Sequence, residues 1–81
     1  MLKHTYVEIT HKGKQSIQDY QNGLYDKADI SELEYALLGY TKDVGTLRVN
    51  NSLEQFGTEG TAALERLLEE GKLQKHPTIT N

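Results

Sequence analysis

The sequence predicts a small α+β domain in which three or four helices accompany a small antiparallel sheet. Residues 5–11 are rich in β-branched and aromatic side chains, and residues 72–75 form a second short strand pattern near the other end. Between these segments, apolar residues recur at three- and four-residue steps, which is typical of amphipathic helices. A chain of 81 residues has the size of one domain. We therefore expect residues 1–81 to form a single domain whose N- and C-terminal strands build the sheet.

The composition excludes several classes of protein. The chain has no cysteine, which rules out a disulfide framework, a thiolate zinc site and a thiol nucleophile. It has no apolar run long enough for a signal peptide or a membrane span. These features predict a cytoplasmic location without membrane contact. The formal net charge is −3, but the two ends of the chain are basic and the middle is acidic, so a phosphate-binding surface would have to come from the ends.

The N-terminal third predicts a strand followed by a short helix. Val7 and Ile9 lie on one face of the period-2 pattern, so the strand is half-buried. Gly13 is expected to end this strand, and residues 14–21 then have the apolar spacing of a helix. Residues 22–23 (Asn-Gly) are expected to close that helix at its C-terminus.

The clearest start of a helix lies at residues 31–42. Ser31 and Glu34 have the spacing of a capping box, and an apolar pair around them has the spacing of a hydrophobic staple. We expect the buried face to repeat at three- and four-residue steps, through Ile30, Leu33, Leu37 and Tyr40. Gly45 lies just past the predicted end of the helix.

The remaining segments predict a short strand, two helices and a final strand. Residues 46–49 alternate as a strand does, and Asn51 with Glu54 repeats the capping spacing. Gly57 is expected to interrupt the helical pattern before a second helix that begins at Thr58 or Thr61. That helix has a buried leucine stripe and a C-terminal glycine, followed by the 72–75 strand: Leu64, Leu67, Leu68 and Gly71. Ile79 and Thr80 could resume the strand after Pro77.

Residues 46–75 resemble the helix-turn-helix and first wing strand of winged-helix domains. The resemblance lies in the patterns Leu53-x-x-Phe56-Gly57 and Leu67-x-x-x-Gly71-x-Leu73. Residues 5–13, which contain Thr-x-Lys-Gly at 10–13, are similar to the wing strand of bacterial winged-helix regulators, but they stand at the N-terminus. The resemblance thus implies a permuted winged-helix-like fold in which this strand pairs with residues 72–75, either within one chain or between the subunits of a homodimer.

The resemblance also implies that DNA is a partner. In this chain, however, the helix at about 59–70 would point mostly carboxylates outward, and a phosphate backbone repels carboxylates. Contact with DNA would then be weak and would depend on the basic wing and termini: Lys12, Lys14, Arg66, Lys72, Lys75 and His76. The first predicted function is a non-catalytic regulatory or accessory protein of bacterial or phage type that binds nucleic acid in this way. The alternative is a protein-interaction module that uses the acidic helical face and binds no nucleic acid.

No pattern in the sequence predicts an enzyme. It contains no nucleophile elbow, no phosphate-binding Gly-Lys-Ser/Thr loop and no His-Glu-x-x-His helix. We therefore predict no catalytic residue and no cofactor. The three histidines, His4, His11 and His76, have no cysteine partner and are interpreted as surface residues, so no metal site is predicted.

Overall fold

A computed structural model describes residues 6–76 of the chain, apart from the side chains of residues 50–55. It confirms the predicted α+β class with helices and one antiparallel sheet. The predicted continuation at Ile79 and Thr80 lies outside the described residues. The elements in chain order are β1 (Tyr6–Ile9), α1 (His11–Gln21), α2 (Tyr25–Ala28), α3 (Glu32–Val44), β2 (Thr46–Arg48), α4 (Val49–Glu69) and β3 (Leu73–Lys75).

The sheet has the strand order β2-β1-β3, and both pairs are antiparallel. Val7 lies opposite Leu47 on one side and Lys75 on the other. The Val7 side chain has no exposed surface, because the helices cover this face of the sheet. The predicted pairing of the N-terminal and C-terminal strands is confirmed, and it is made within one chain.

Helix α1 begins three residues earlier than the sequence predicted. Thr10 is its N-cap, and the Thr10 hydroxyl accepts a hydrogen bond from the Gly13 backbone N–H at 3.1 Å. Gly13 therefore does not end the strand but lies in the first turn of the helix. A side chain at this position would collide with the backbone carbonyl oxygen of Lys72, so the glycine is needed for close packing rather than for a break.

The glycines that were expected to close α1 and α4 do so with the same hydrogen-bond pattern. Gly23 and Gly71 have φ angles of 80° and 77°. After α4, the Gly71 N–H donates to Leu68 O and the Lys72 N–H donates to Leu67 O. These two bonds are those of a Schellman motif, which satisfies carbonyls that the helix end leaves unpaired.

Helix α3 has the predicted start but a shifted buried face. The Ser31 and Glu34 side chains form both hydrogen bonds of the capping box. Leu37 is fully buried as predicted, whereas Leu33 and Tyr40 are only half-buried. The residues that α3 buries most are Glu34, Leu37, Leu38 and Thr41. The shift arises because α3 is covered from several sides, by α1, α4 and the first two strands.

Helix α4 consists of two helical halves that meet at Gly57. This residue has a φ of 73° and a ψ of −164°, which no helical residue adopts. The predicted interruption is therefore confirmed, although the first half begins at Val49 rather than near Asn51. In the second half, Leu64 and Leu67 are buried and Leu68 is partly buried against the same core. The leucine stripe thus holds α4 against the sheet and α3.

Helix α2 was not predicted from the sequence. It is a single turn, and it ends at Asp29 in the left-handed region with a φ of 54°. The Lys72 ammonium donates hydrogen bonds to the carbonyl oxygens of Ala28 and Asp29 at 3.1 and 2.8 Å. A contact between residues so far apart in sequence leaves no local pattern, which explains why this turn was missed.

Candidate partner-binding surface

Lys72 is buried, so its charge does not lie on the surface where the prediction required it. Only 2% of the residue is exposed. Its ammonium donates hydrogen bonds to the carbonyl oxygens of Ala28 and Asp29 at the end of α2, and its Nζ lies 3.9 Å from Asp29 Oδ2. Burial lowers the pKa of the Lys72 ammonium, and the Asp29 carboxylate opposes this shift. The described geometry gives Lys72 a structural role between β3 and α2.

Arg66 is directed at α3 and not at the outer side of α4. Its Nη1 lies 2.7 Å from Glu34 Oε1, and its Nη2 lies 3.3 Å from Asp29 Oδ1. The hydrogen bond that the Arg66 guanidinium donates to Glu34 raises the pKa of Arg66, and the Glu34 carboxylate is itself buried. The positive charge of Arg66 is therefore already compensated by two carboxylates.

Lys12 and the neighbouring Thr10 bind the segment that follows α4. The Lys12 ammonium donates to the Glu70 carbonyl oxygen at 2.8 Å, and the Thr10 hydroxyl donates to the Gly71 carbonyl oxygen at 2.6 Å. A cation near the C-terminus of a helix also interacts favourably with the helix dipole. This contact links the Thr-x-Lys-Gly segment to the end of α4, so Lys12 contributes to holding the two ends of the chain together.

His76 lies on the sheet beside an acidic side chain. Its Nε2 is 3.6 Å from Glu8 Oε1, and the side-chain amide of Gln74 donates to the other carboxylate oxygen of Glu8 at 2.6 Å. Glu8 and Gln74 are opposed in the β1–β3 pair. The carboxylate lowers the local positive potential that His76 was expected to provide.

Lys14 and Lys75 remain exposed, and their side chains make no hydrogen bond or ion pair with other described residues. Lys14 lies in α1 and Lys75 in β3. Lys12 and Lys72 line a groove between α1, α2 and the end of α4, whereas Lys75 lines a separate groove beside α4. Lys12 and Lys72 thus share one groove, Lys75 lines another, and Arg66 pairs with Glu34 and Asp29.

The outward side of the second half of α4 is acidic. A helix has 3.6 residues per turn, which places Glu59, Ala62, Glu65 and Glu69 within one exposed arc. We call these four residues the acidic face. Arg66 falls within the same arc, between Glu59 and Ala62, but its guanidinium pairs with Glu34 of α3. The sequence predicted these four positions to face outward together with Thr61 and Arg66. The four are exposed, whereas Thr61 and Arg66 are only half-buried, and the pairing of Arg66 with Glu34 could not be predicted.

An apolar groove borders the acidic face. Its volume is about 220 Å³, and it lies between the second half of α4 and the sheet. The described residues that line it are Val7, Val49, Thr61, Leu64, Glu65, Leu68 and Lys75. Sequence reasoning missed this groove, because the strand and helix residues that line it looked like ordinary core residues.

A second, aromatic patch lies where α1, α2 and α3 meet. Tyr20 stacks on Tyr35 with ring centroids 4.2 Å apart, and the edge of Tyr25 meets the Tyr20 ring at 4.9 Å. Tyr25 is 60% exposed, and Leu24 beside it is also exposed. Partial burial raises the pKa of the Tyr20 hydroxyl, and the Glu32 carboxylate contributes to this shift.

Within residues 6–76, leaving aside the side chains at 50–55, His, Asp and Glu form no group of three or more that could hold a metal ion. Within the same residues, none of the helices combines the length and the apolar character needed to cross a membrane. Comparison of the chain with protein-family models, with curated proteins and with solved structures gives no match.

Proposed function

We propose that the chain is a non-catalytic accessory module with a winged-helix-like arrangement, and that it docks on a basic protein partner through the acidic face of α4. The winged-helix interpretation is supported by the order α3, β2, two helical halves broken at Gly57, and β3. The position of β1 beside β3 agrees with a permuted wing strand. Because a fold does not fix a function, the docking proposal depends on the surface residues.

The observation that carries the proposal is the pairing of Arg66 with Glu34 and Asp29. Arg66 is the only cation in the second half of α4, and its guanidinium is directed at α3. Glu59, Glu65 and Glu69 are left exposed on the outward side. Phosphate groups are repelled by such a surface, whereas Lys and Arg side chains of a protein are attracted to it.

A comparison of two probes tests the proposal by amide NMR at low salt. The probes are a short peptide of alternating lysine and serine, and a short mixed-sequence DNA duplex. We expect the peptide to shift the amide signals of Glu59, Ala62, Glu65 and Glu69, and the duplex to leave them unchanged. Shifts of these signals by the duplex, with none by the peptide, would contradict the proposal.

Charge removal provides the matched control. A double variant with Glu65→Gln and Glu69→Gln should weaken peptide binding. The control is Asp26→Asn with Asp43→Asn, which changes the net charge equally at exposed positions outside α4. If both double variants weaken binding to the same extent, the attraction is due to net charge and the acidic face has no specific role.

Weak nucleic-acid binding is the second candidate function, and the exposure of Lys14 and Lys75 favours it. These two lysines retain charges that the described residues do not compensate. If DNA binds, Lys14→Ala with Lys75→Ala should lower its affinity for all sequences alike and reduce the salt dependence of binding. Loss of affinity for one sequence only would contradict a contact that is limited to phosphates.

A further inference from the structure

We infer that the apolar groove beside α4 receives one aliphatic side chain of the protein partner, and that the residues flanking this side chain are basic. The inference rests on the proposed function and adds the kind of partner segment that the surface fits. The groove and the acidic face are continuous, because Glu65 belongs to both. One partner segment can therefore contact both surfaces.

The floor of the groove is apolar and firmly held. Val7 has no exposed surface and Leu64 is 2% exposed, so both side chains are fixed by the core beneath them. Leu68 is packed against the same core and forms one wall. A groove of about 220 Å³ has the size to accept a single side chain rather than an extended apolar surface. Anchors of this kind, placed in a desolvated pocket, contribute much of the affinity of protein interfaces.

The charges at the two edges indicate how the partner segment is composed. Glu65 lies on the α4 edge, and the acidic face continues from it to Glu69 and Glu59. Lys75 lies on the sheet edge. Basic residues next to the apolar anchor would pair with the α4 edge, while a backbone carbonyl or a carboxylate would suit Lys75. A segment that is apolar at one position and basic on the α4 side matches both edges.

Three peptides test the inference in a methyl and amide NMR titration of the full chain. The first contains only lysine and serine, the second has a central leucine among the same residues, and the third has alanine in its place. We expect the leucine peptide to shift the methyl signals of Val7, Leu64 and Leu68 and to bind about tenfold more tightly than the alanine peptide, because an apolar pocket discriminates methylene groups to this extent.

The outcomes separate the inference from the proposed function. Equal affinities of all three peptides, with shifts on the acidic face, would overturn the groove inference and leave the proposed function supported. Absence of binding by any peptide would overturn both. If the methyl signals depend on protein concentration without peptide, a second copy of the chain occupies the groove, and the inference fails in favour of self-association.

A substitution that fills the groove supplies an independent test. Thr61→Tyr places a ring at the edge of the groove and should abolish the advantage of the leucine peptide over the alanine peptide. Gln18→Tyr adds the same ring at an exposed position of α1 and should leave that advantage unchanged. Thermal unfolding of both variants verifies that they are folded. If a folded Thr61→Tyr variant still binds the leucine peptide more tightly than the alanine peptide by the original factor, the inference is overturned.

Discussion

The Thr10 hydroxyl donates a hydrogen bond of 2.6 Å to the carbonyl oxygen of Gly71, 61 residues further along the chain. The Thr10 N–H donates to the next carbonyl, that of Lys72, at 3.1 Å. The Lys12 ammonium donates to the preceding one, that of Glu70, at 2.8 Å. Three successive carbonyl groups after α4 are thus satisfied by Thr10, the N-cap of α1, and by Lys12 in its first turn. This arrangement joins the two ends of the domain.

Thr10→Ala should destabilise the domain by about 1–2 kcal/mol, because it removes the N-cap of α1 and one long-range hydrogen bond. Thr10→Ser keeps the hydroxyl and should recover most of the loss. Urea unfolding of the three proteins measures the free energies. Equal stability of the alanine variant and the unsubstituted chain would show that the hydroxyl contributes nothing.

Gly13→Ala and Gly39→Ala should change stability in opposite directions, although both glycines lie in helices. A Cβ at Gly13 would collide with the Lys72 carbonyl oxygen. Overpacking of this kind lowers the free energy of unfolding by about 1–3 kcal/mol. A Cβ at Gly39 would meet no atom within 4 Å, so alanine there should stabilise α3 by about 0.5–1 kcal/mol. Melting temperatures measure both effects. A Gly13→Ala variant as stable as Gly39→Ala would be incompatible with this close approach.

The features that the sequence predicted well are those with local hydrogen-bond partners. Ser31 and Glu34 are three residues apart, and Gly71 lies directly after the helix that it closes. Their spacing alone reveals their role. The Thr10 cap was missed because Gly13 looked like a break, and only its contact with Lys72, far away in sequence, explains the glycine.

The candidate site was less predictable than the fold, because charge in a sequence does not indicate pairing. Lys72 and Arg66 have the residue types that bind phosphate, but the fold places Asp29 near both and Glu34 against Arg66. The outward carboxylates of α4 were identifiable from helical periodicity. To predict the groove beside them, one must know that β1 lies near α4, and no local sequence pattern gives this information.

The burial of Lys72 predicts a specific dependence of stability on pH. Its pKa is lowered in the folded chain, so between that value and the unfolded value of about 10.4 the unfolded chain binds more protons and stability rises with pH. The unfolding free energy of the original chain should therefore increase relative to that of Lys72→Met as pH approaches 10.4. Chemical unfolding from pH 8 upward measures this difference. The control is Lys27→Met, at an exposed position. If the difference in unfolding free energy between the original chain and Lys72→Met depends on pH no more than the difference for this control, the burial of Lys72 is contradicted.

Arg66 and Glu34 should be energetically coupled. Arg66→Ala leaves the buried Glu34 carboxylate without its guanidinium, and we expect a loss of about 1–3 kcal/mol. Glu34→Gln retains an oxygen for the Ser31 N–H but removes the charge, so the effects of the two substitutions should not add. A double-mutant cycle in urea should give a coupling energy of about 1–2 kcal/mol. A coupling energy near zero would mean that Arg66 is available to an external ligand.

The register of α4 can be tested with two neighbouring leucines. Leu67 has no exposed surface, whereas Leu68 is partly buried and lines the apolar groove. Leu67→Ala should destabilise the domain by about 2–5 kcal/mol, because it creates a cavity in the core. Leu68→Ala should cost only about 1 kcal/mol, since part of its surface is already in contact with water. Thermal unfolding distinguishes the two. If Leu68→Ala had the larger effect, α4 would be rotated by about one residue, and the acidic face would no longer lie on its outward side.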